Sequence, residues 1–130
     1  MVVDETTGPG DDRPVILLVE DEALTIMDLG DVLENGGYET VQCASAERAL
    51  GILKARPDIC GLVTDVELSG KTNGFELANA VAAARPQLPI VIVSGRAAPD
   101  PERMPPGARF IARPCSGEDI LSQLKGLLPC

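Results

Sequence analysis

Short apolar runs alternate along the chain with stretches in which apolar residues recur every three or four positions. The run Val15–Val19 is continuous, which is typical of a strand that is buried on both faces of a sheet. After it, from Glu22 to Asn35, the apolar spacing is that of one face of a helix. The same change of pattern recurs, and the further predicted strands are Tyr38–Cys43, Cys60–Thr64, Pro89–Val93 and Ala108–Ala112.

The later helices are bounded by N-cap residues and by prolines that follow them. These boundary residues are Ser45, Pro57, Asn73, Pro86 and Ser116. Between the fourth and fifth strands, residues 97–106 contain four prolines, so at most one helical turn fits there. The repeated order of strand and helix, with a fourth helix that is short or absent, predicts a parallel sheet with helices on both faces.

Composition and charge limit the class of protein. A chain of 130 residues with 45% hydrophobic and 2% aromatic residues is long enough for one domain with an aliphatic core. The net charge of −9 disfavours nucleic acid or an anionic membrane surface as a partner. No apolar run approaches the roughly 20 residues that span a membrane. Residues 1–13 are polar and acidic without a signal-peptide pattern, and we expect them to form a disordered tail.

Cysteine and histidine usage argues against a zinc protein. The four cysteines have no C-x-x-C spacing and the chain has no histidine, so a structural zinc site lacks support. Free thiols in a reducing cytoplasm are the expected state, and we therefore expect a cytoplasmic protein.

Reactive residue types follow four of the five predicted strands. They are Glu20 and Asp21 after the first strand, Asp65 after the third, Ser94 after the fourth and Arg113 after the fifth. In an open parallel sheet these positions share the edge beyond which ligands bind. We therefore expect three carboxylates, a hydroxyl and a cation to meet at the carboxyl edge of the sheet.

Carboxylates that crowd together repel one another, and a bound divalent cation removes that conflict. Mg²⁺ prefers oxygen ligands and is commonly held by one or two carboxylates together with phosphate oxygens. With a cation held by Asp21 and Asp65, the Asp65 carboxylate could attack phosphorus and form an aspartyl phosphate. Such a transfer needs mainly positioning and neutralisation of charge, which a metal, a hydroxyl and a cation supply.

Four segments carry these residues in a recognisable order: ILLVEDE (16–22), LVTDVEL (62–68), IVIVSG (90–95) and FIARP (110–114). From about Pro14 to Leu128 the chain resembles the receiver domain of bacterial response regulators. The stretch from Ser94 to Pro114 is similar to a subset of receivers, common in alphaproteobacteria, with a shortened segment between strands four and five. The resemblance implies a receiver domain at 14–130 with a flavodoxin-like α/β fold. Its five-stranded parallel sheet would be doubly wound in the order 2-1-3-4-5, with the fourth helix short or absent.

The resemblance also implies a role for each residue at the predicted edge. Asp65 is then the phosphoacceptor, Asp21 binds Mg²⁺ directly and Glu20 acts largely through water. The backbone carbonyl of Glu67 completes the protein ligands of the metal. Arg113 occupies the position of the family's strand-five lysine.

A switch is implied in the same way. Ser94 would bond to a phosphoryl oxygen and move towards it on activation. Phe110 occupies the aromatic switch position, whose ring turns inwards with that movement. An apolar residue that opens a buried strand is equally typical of core packing, so both interpretations of Phe110 stay open. The bond before Pro114 can be cis, as in the family, because X-Pro bonds allow both isomers.

The function implied by the resemblance is that of a phosphoacceptor in a two-component phosphorelay. The partners would be a sensor histidine kinase or phosphotransfer protein and a downstream protein target, with a homodimer possible. Such a domain is a signalling module rather than a turnover enzyme. No output domain follows the last helix, so we expect the signal to leave through protein contacts or phosphoryl relay. An excised domain of a longer protein would end in the same way.

Three departures from the family pattern bear on this hypothesis. Arg113 replaces lysine with a longer, planar cation that could grip a phosphoryl oxygen, pair with Asp65 and close the site, or be a neutral replacement. Leu68-Ser69 replaces the usual Met-Pro and Gly74 lies one residue later than is common, which predicts a reshaped rim with metal binding retained. Receivers usually signal through helix four, strand five and helix five, so the shortened segment predicts an altered or mobile partner-binding face. Its prolines are Pro99, Pro101, Pro105 and Pro106.

Two alternative functions stay open. A binding module of the same fold could act without phosphorylation, which Arg113 and the altered loop favour. A phosphohydrolase with an aspartate nucleophile typically has a second aspartate two residues later as its general acid. Here that position is Glu67, and the chain is too small for a substrate-capping domain.

Overall fold

The structure is a computed structural model that describes residues 13–95, 100 and 102–128. Its strands are β1 (Val15–Val19), β2 (Glu39–Cys43), β3 (Ile59–Asp65), β4 (Ile90–Ser94) and β5 (Arg109–Ala112). Its helices are α1 (Ala23–Asn35), α2 (Ala46–Ala55), α3 (Gly74–Ala84) and α4 (Gly117–Leu127). The predicted order of elements is confirmed, and the boundaries lie close to their predicted positions.

The five strands form one parallel sheet in the order β2-β1-β3-β4-β5, which confirms the predicted topology. The interior strands β1 and β4 are buried along their whole length, and β3 is nearly so. Strands covered on both faces need apolar side chains on both, which explains their continuous apolar runs. The edge strands β2 and β5 are partly exposed.

The core has two layers, one on each face of the sheet. Alternate residues of β1 point to opposite faces, so Leu17 packs with α2 and α3 while Ile16 and Leu18 pack with α1 and α4. The predicted arrangement of helices on both faces is therefore confirmed.

The predicted helix starts are also present. Ser45 accepts a hydrogen bond from the backbone N–H of Arg48, while Asn73 and Ser116 each form a capping box at the start of α3 and α4. These caps satisfy backbone donors that have no partner inside the helix.

The segment between β4 and β5 consists of turns and irregular backbone, without a helix, over its described residues, 95, 100 and 102–108. Residues 96–99 and 101, which include Pro99 and Pro101, lie outside the described residues. Within the described part, the side-chain amide of Asn79 donates to the carbonyl of Arg103 at 2.5 Å, and the Arg103 guanidinium lies 4.7 Å from the Phe75 ring centroid. The described residues of this segment contain no helix, as expected, whereas an altered or mobile partner-binding face stays a prediction.

The structure leaves the N-terminal prediction untested and gives the state of three cysteines. Residues 1–12 are not described, and Arg13 donates a hydrogen bond to the carbonyl of Glu34, so the predicted tail and domain boundary stay predictions. The three described cysteines, Cys43, Cys60 and Cys115, are free. None of the helices in the described ranges is both long and apolar enough to cross a membrane.

Candidate functional site

An acidic cluster lies at the carboxyl ends of β1 and β3. Carboxylate oxygens of Glu20, Asp21 and Asp65 lie within 4.8 Å of one another. The cluster forms because β1 and β3 are parallel neighbours with Val19 opposite Thr64, so the residues that follow leave the sheet side by side. The structure therefore brings together the three acids that the sequence placed at one edge.

The loop after β3 returns to the end of its own strand. The backbone N–H of Gly74 donates to the carbonyl of Val66 at 2.9 Å. A Cβ atom at position 74 would lie 2.0 Å from the carbonyl oxygen of Asp65, so only glycine fits there. Gly74 thus starts α3 directly against the backbone of Asp65, which fixes that part of the site.

The charges around Asp65 perturb its titration. Burial and the neighbouring carboxylates of Glu20 and Glu67 raise the pKa of the Asp65 carboxyl to about 7. The cation of Arg113 and the backbone N–H of Glu67, 3.4 Å from Oδ1 of Asp65, act in the opposite direction. Because part of this rise comes from the neighbouring carboxylates, a bound cation would favour the ionised form of Asp65.

Asp21 is held from the loop after β3. Its Oδ2 accepts hydrogen bonds from the backbone N–H of Ser69 at 3.0 Å and from the Ser69 hydroxyl at 2.5 Å. A proline, usual at this position in the family, has no N–H and no hydroxyl. The departure at Ser69 therefore adds two donors to the site.

Glu20 is paired with the cation from the end of β5. Its side chain is only 5% exposed, and its Oε1 lies 2.9 Å from Nη2 of Arg113. Its Oε2 accepts from the backbone N–H of Glu22 at 3.2 Å. Over the described part of the chain, Arg113 forms no ion pair with Asp65, and its buried Nε has no hydrogen-bond partner. The bond between Arg113 and Pro114 is cis.

Ser94 is bonded to a carboxylate that sequence reasoning did not assign to it. Ser94 is 1% exposed, and its hydroxyl donates to Oε2 of Glu67 at 2.6 Å. Oε1 of the same carboxylate accepts from the backbone N–H of Gly95 at 3.3 Å. For a receiver domain, the family resemblance implied only a backbone role for Glu67, and its place two residues after Asp65 was the available signal for a side-chain role.

Phe110 is half-buried and stacks on Phe75. The two ring centroids lie 6.3 Å apart with an interplanar angle of 15°. Phe110 also packs against the core layer that contains α2 and α3. Core packing is thus present, and the role of Phe110 as a switch stays a prediction.

A known family matches most of the chain. Residues 16–125 match the family described as the response regulator receiver domain. The chain belongs to this family. Receiver domains are signalling modules of two-component systems rather than classical enzymes, and they bind Mg²⁺ at an acidic pocket. In this receiver domain the corresponding cluster is formed by Glu20, Asp21 and Asp65.

Individual relatives support the same assignment. The response regulator protein FleR of Pseudomonas aeruginosa is 33% identical over 109 residues, which cover 82% of this chain and 23% of FleR. The chain thus spans about a quarter of that relative's length. A response regulator receiver protein from Sinorhizobium medicae is similar in structure, with a TM-score of 0.85, 26% identity and coverage of 89% and 94% of the two chains. A CheY-like receiver domain protein from Methanospirillum hungatei has a TM-score of 0.78 at 25% identity, with coverage of 88% and 93%.

Proposed function

We propose that this receiver domain accepts a phosphoryl group on Asp65 from the phosphohistidine of a sensor histidine kinase or phosphotransfer protein. The observation that carries the proposal is the acidic cluster at the end of β3, where Asp65 lies within 4.8 Å of two further carboxylates. Ser94 is the last residue of β4, and Arg113 directly follows β5 on the same edge of the sheet. A hydroxyl and a cation therefore border the cluster.

The donor set fits Mg²⁺, because three carboxylates within 4.8 Å offer hard oxygen ligands in a chain without histidine. Asp21 and Asp65 would bind the ion directly, Glu20 largely through water, and Glu67 through its backbone carbonyl. A bound Mg²⁺ would supply positive charge that neutralises the carboxylates and the phosphoryl oxygens.

The residues of the chain would then act on the incoming group. A carboxylate oxygen of Asp65 forms a bond to phosphorus as the P–N bond of the donor breaks, and the released imidazole takes up a proton. Arg113 has a buried Nε–H without a partner among the described residues, and this group can donate to a phosphoryl oxygen. The aspartyl phosphate would signal to a downstream protein through altered contacts, and its hydrolysis would restore Asp65.

The test is phosphorylation by a small-molecule donor. With acetyl phosphate and Mg²⁺, intact-mass analysis should show one phosphoryl adduct on the wild type and none on Asp65→Asn. Asp31→Asn is the matched control, because Asp31 is an exposed aspartate on α1, and it should be labelled like the wild type. Equal labelling of Asp65→Asn, or no adduct on the wild type, would contradict the proposal.

The contacts of Arg113 and Ser94 also favour a second candidate, a binding module that works without phosphorylation. In the structure both groups are engaged by carboxylates, Arg113 by Glu20 and Ser94 by Glu67. If these contacts are permanent, neither the Ser94 hydroxyl nor Nη2 of Arg113 is released for a phosphoryl oxygen. The same experiment separates the two candidates, because the binding module would acquire no adduct.

A further inference from the structure

The side chain of Glu67 joins the ends of β3 and β4. Its two carboxylate oxygens accept hydrogen bonds from the Ser94 hydroxyl at 2.6 Å and from the Gly95 backbone N–H at 3.3 Å. The first distance is that of a short, charge-assisted bond between a hydroxyl and a carboxylate. Because Ser94 is only 1% exposed, water has little access to compete for its hydroxyl.

This contact conflicts with the role expected of Ser94 beside a phosphoryl group. A serine hydroxyl has one hydrogen to donate, and phosphoryl oxygens accept hydrogen bonds without donating. Ser94 can therefore serve a phosphoryl oxygen only after it releases Glu67. A phosphoryl group also carries a charge of about −1.5 to −2 near neutral pH, which the Glu67 carboxylate repels. Both effects favour the unphosphorylated arrangement.

We propose that Glu67 is a latch, whose carboxylate holds the Ser94 hydroxyl in the unphosphorylated protein and is displaced from it by the phosphoryl group. The proposal rests on the proposed function of Asp65 as phosphoacceptor. The latch shifts the equilibrium of the domain towards its inactive arrangement, because activation must break a hydrogen bond that exists only in that arrangement. The glutamate side chain is thus an autoinhibitory contact within the site.

The latch is tested by binding of beryllofluoride, a phosphoryl mimic, at saturating Mg²⁺. Glu67→Gln keeps the size of the side chain and the backbone carbonyl but removes the charge. We expect this variant to bind the mimic about tenfold more tightly than the wild type, because a charge-assisted hydrogen bond in the free state is replaced by a weaker neutral one. Binding is followed by amide NMR. Glu118→Gln removes an exposed carboxylate from α4 and is the matched control, with affinity expected within about twofold of the wild type.

A double-mutant cycle with Ser94→Ala shows whether Glu67 acts through the hydroxyl. In the Ser94→Ala background the gain from Glu67→Gln should largely disappear, because there is no hydroxyl left to hold. A second readout needs neither metal nor mimic: Glu67→Gln should shift the amide resonance of Gly95, whose N–H donates to the same carboxylate.

The outcomes separate the latch from the phosphoacceptor function. If the wild type binds the mimic and Glu67→Gln binds it equally or more weakly, the latch is overturned and the function of Asp65 stands. A full gain that persists in the Ser94→Ala background also overturns the latch, since it would reflect charge repulsion alone. Binding by Glu67→Gln but not by the wild type would support the latch most strongly. If no variant binds the mimic, the proposed function fails and the latch fails with it.

Discussion

The interior of the sheet and its carboxyl edge are built from different kinds of interaction. In the interior, Leu17 and Leu62 are fully buried among aliphatic side chains, and such packing is the main source of stability. At the edge, polar side chains that are far apart in the sequence contact one another. Arg113, for example, pairs with Glu20, 93 residues earlier. Stability should therefore depend most on the interior and the proposed chemistry on the edge, so substitutions in the two regions should differ in the size of their effect on stability.

The largest expected effect on stability is in the interior. Leu62→Ala should lower the free energy of unfolding by about 2–5 kcal/mol, because it removes a fully buried side chain and leaves a cavity. Leu24→Ala is the matched control, since Leu24 on α1 is 74% exposed, and it should change stability by less than about 0.5 kcal/mol. Urea denaturation measures both, and similar losses would break the distinction between interior and surface.

The next largest effect is at the ion pair between Arg113 and Glu20. Arg113→Gln should lower the free energy of unfolding by about 2 kcal/mol, because Glu20 is 5% exposed and would lose its cation. The double variant with Glu20→Gln should be more stable than Arg113→Gln alone, because it no longer buries an unpaired charge.

An exposed ion pair offers the control for that substitution. Arg56 lies 2.7 Å from Asp58, with side chains 38% and 51% exposed, so Arg56→Gln should lower the free energy of unfolding by clearly less than Arg113→Gln does. If the two arginine variants lose the same free energy of unfolding, the burial of Glu20 does not strengthen its ion pair with Arg113.

A smaller effect is expected for the two donors on Asp21. Ser69→Pro removes the N–H and the hydroxyl, and should weaken Mg²⁺ binding by about tenfold because Asp21 loses the groups that orient it. Ser69→Ala keeps the N–H and should have an intermediate affinity. Calorimetric titration with Mg²⁺ measures these affinities. Ser122→Ala, an exposed serine on α4, is the control, and unchanged binding by Ser69→Pro would show that Ser69 does not support Asp21.

An effect of a different kind is a pH dependence of stability without metal. The pKa of Asp65 is raised from its ordinary value of 3.8 to about 7, so the folded protein keeps a proton that the unfolded chain has lost between these values. Unfolding then releases a proton, and the contribution of Asp65 to the free energy of unfolding falls as pH rises through this window. Urea denaturation at about pH 4.5 and about pH 7.5 should show this decline in the wild type relative to Asp65→Asn. Parallel pH profiles would contradict the raised pKa.

The interior could be predicted because its signals are local. The run Val15–Val19 is a strand at the bounds that the apolar pattern predicted, and the cap at Asn73 starts α3 where expected. The residue types at the carboxyl edge were also predictable, since parallel strands place the residues that follow them on one side.

The contacts at the edge could not be predicted in the same way. The sequence predicts three acids on the same edge as Arg113, and only the folded geometry shows that Arg113 pairs with the buried Glu20. The bond from Ser69 to Asp21 joins residues 48 positions apart through a loop whose path has no local pattern. The contact of the Glu67 carboxylate with Ser94 likewise depends on the folded site, and the residues next to Glu67 in the sequence do not predict it.

The most direct test of the central claim is to locate the phosphoryl group on the chain. After treatment with acetyl phosphate and Mg²⁺, borohydride reduction converts an aspartyl phosphate to homoserine, which tandem mass spectrometry can place at one residue. The proposed function predicts homoserine at Asp65 in the wild type and at no position in Asp65→Asn. Homoserine at Asp21 or another acid, or none in a wild type that retains its fold, would contradict it.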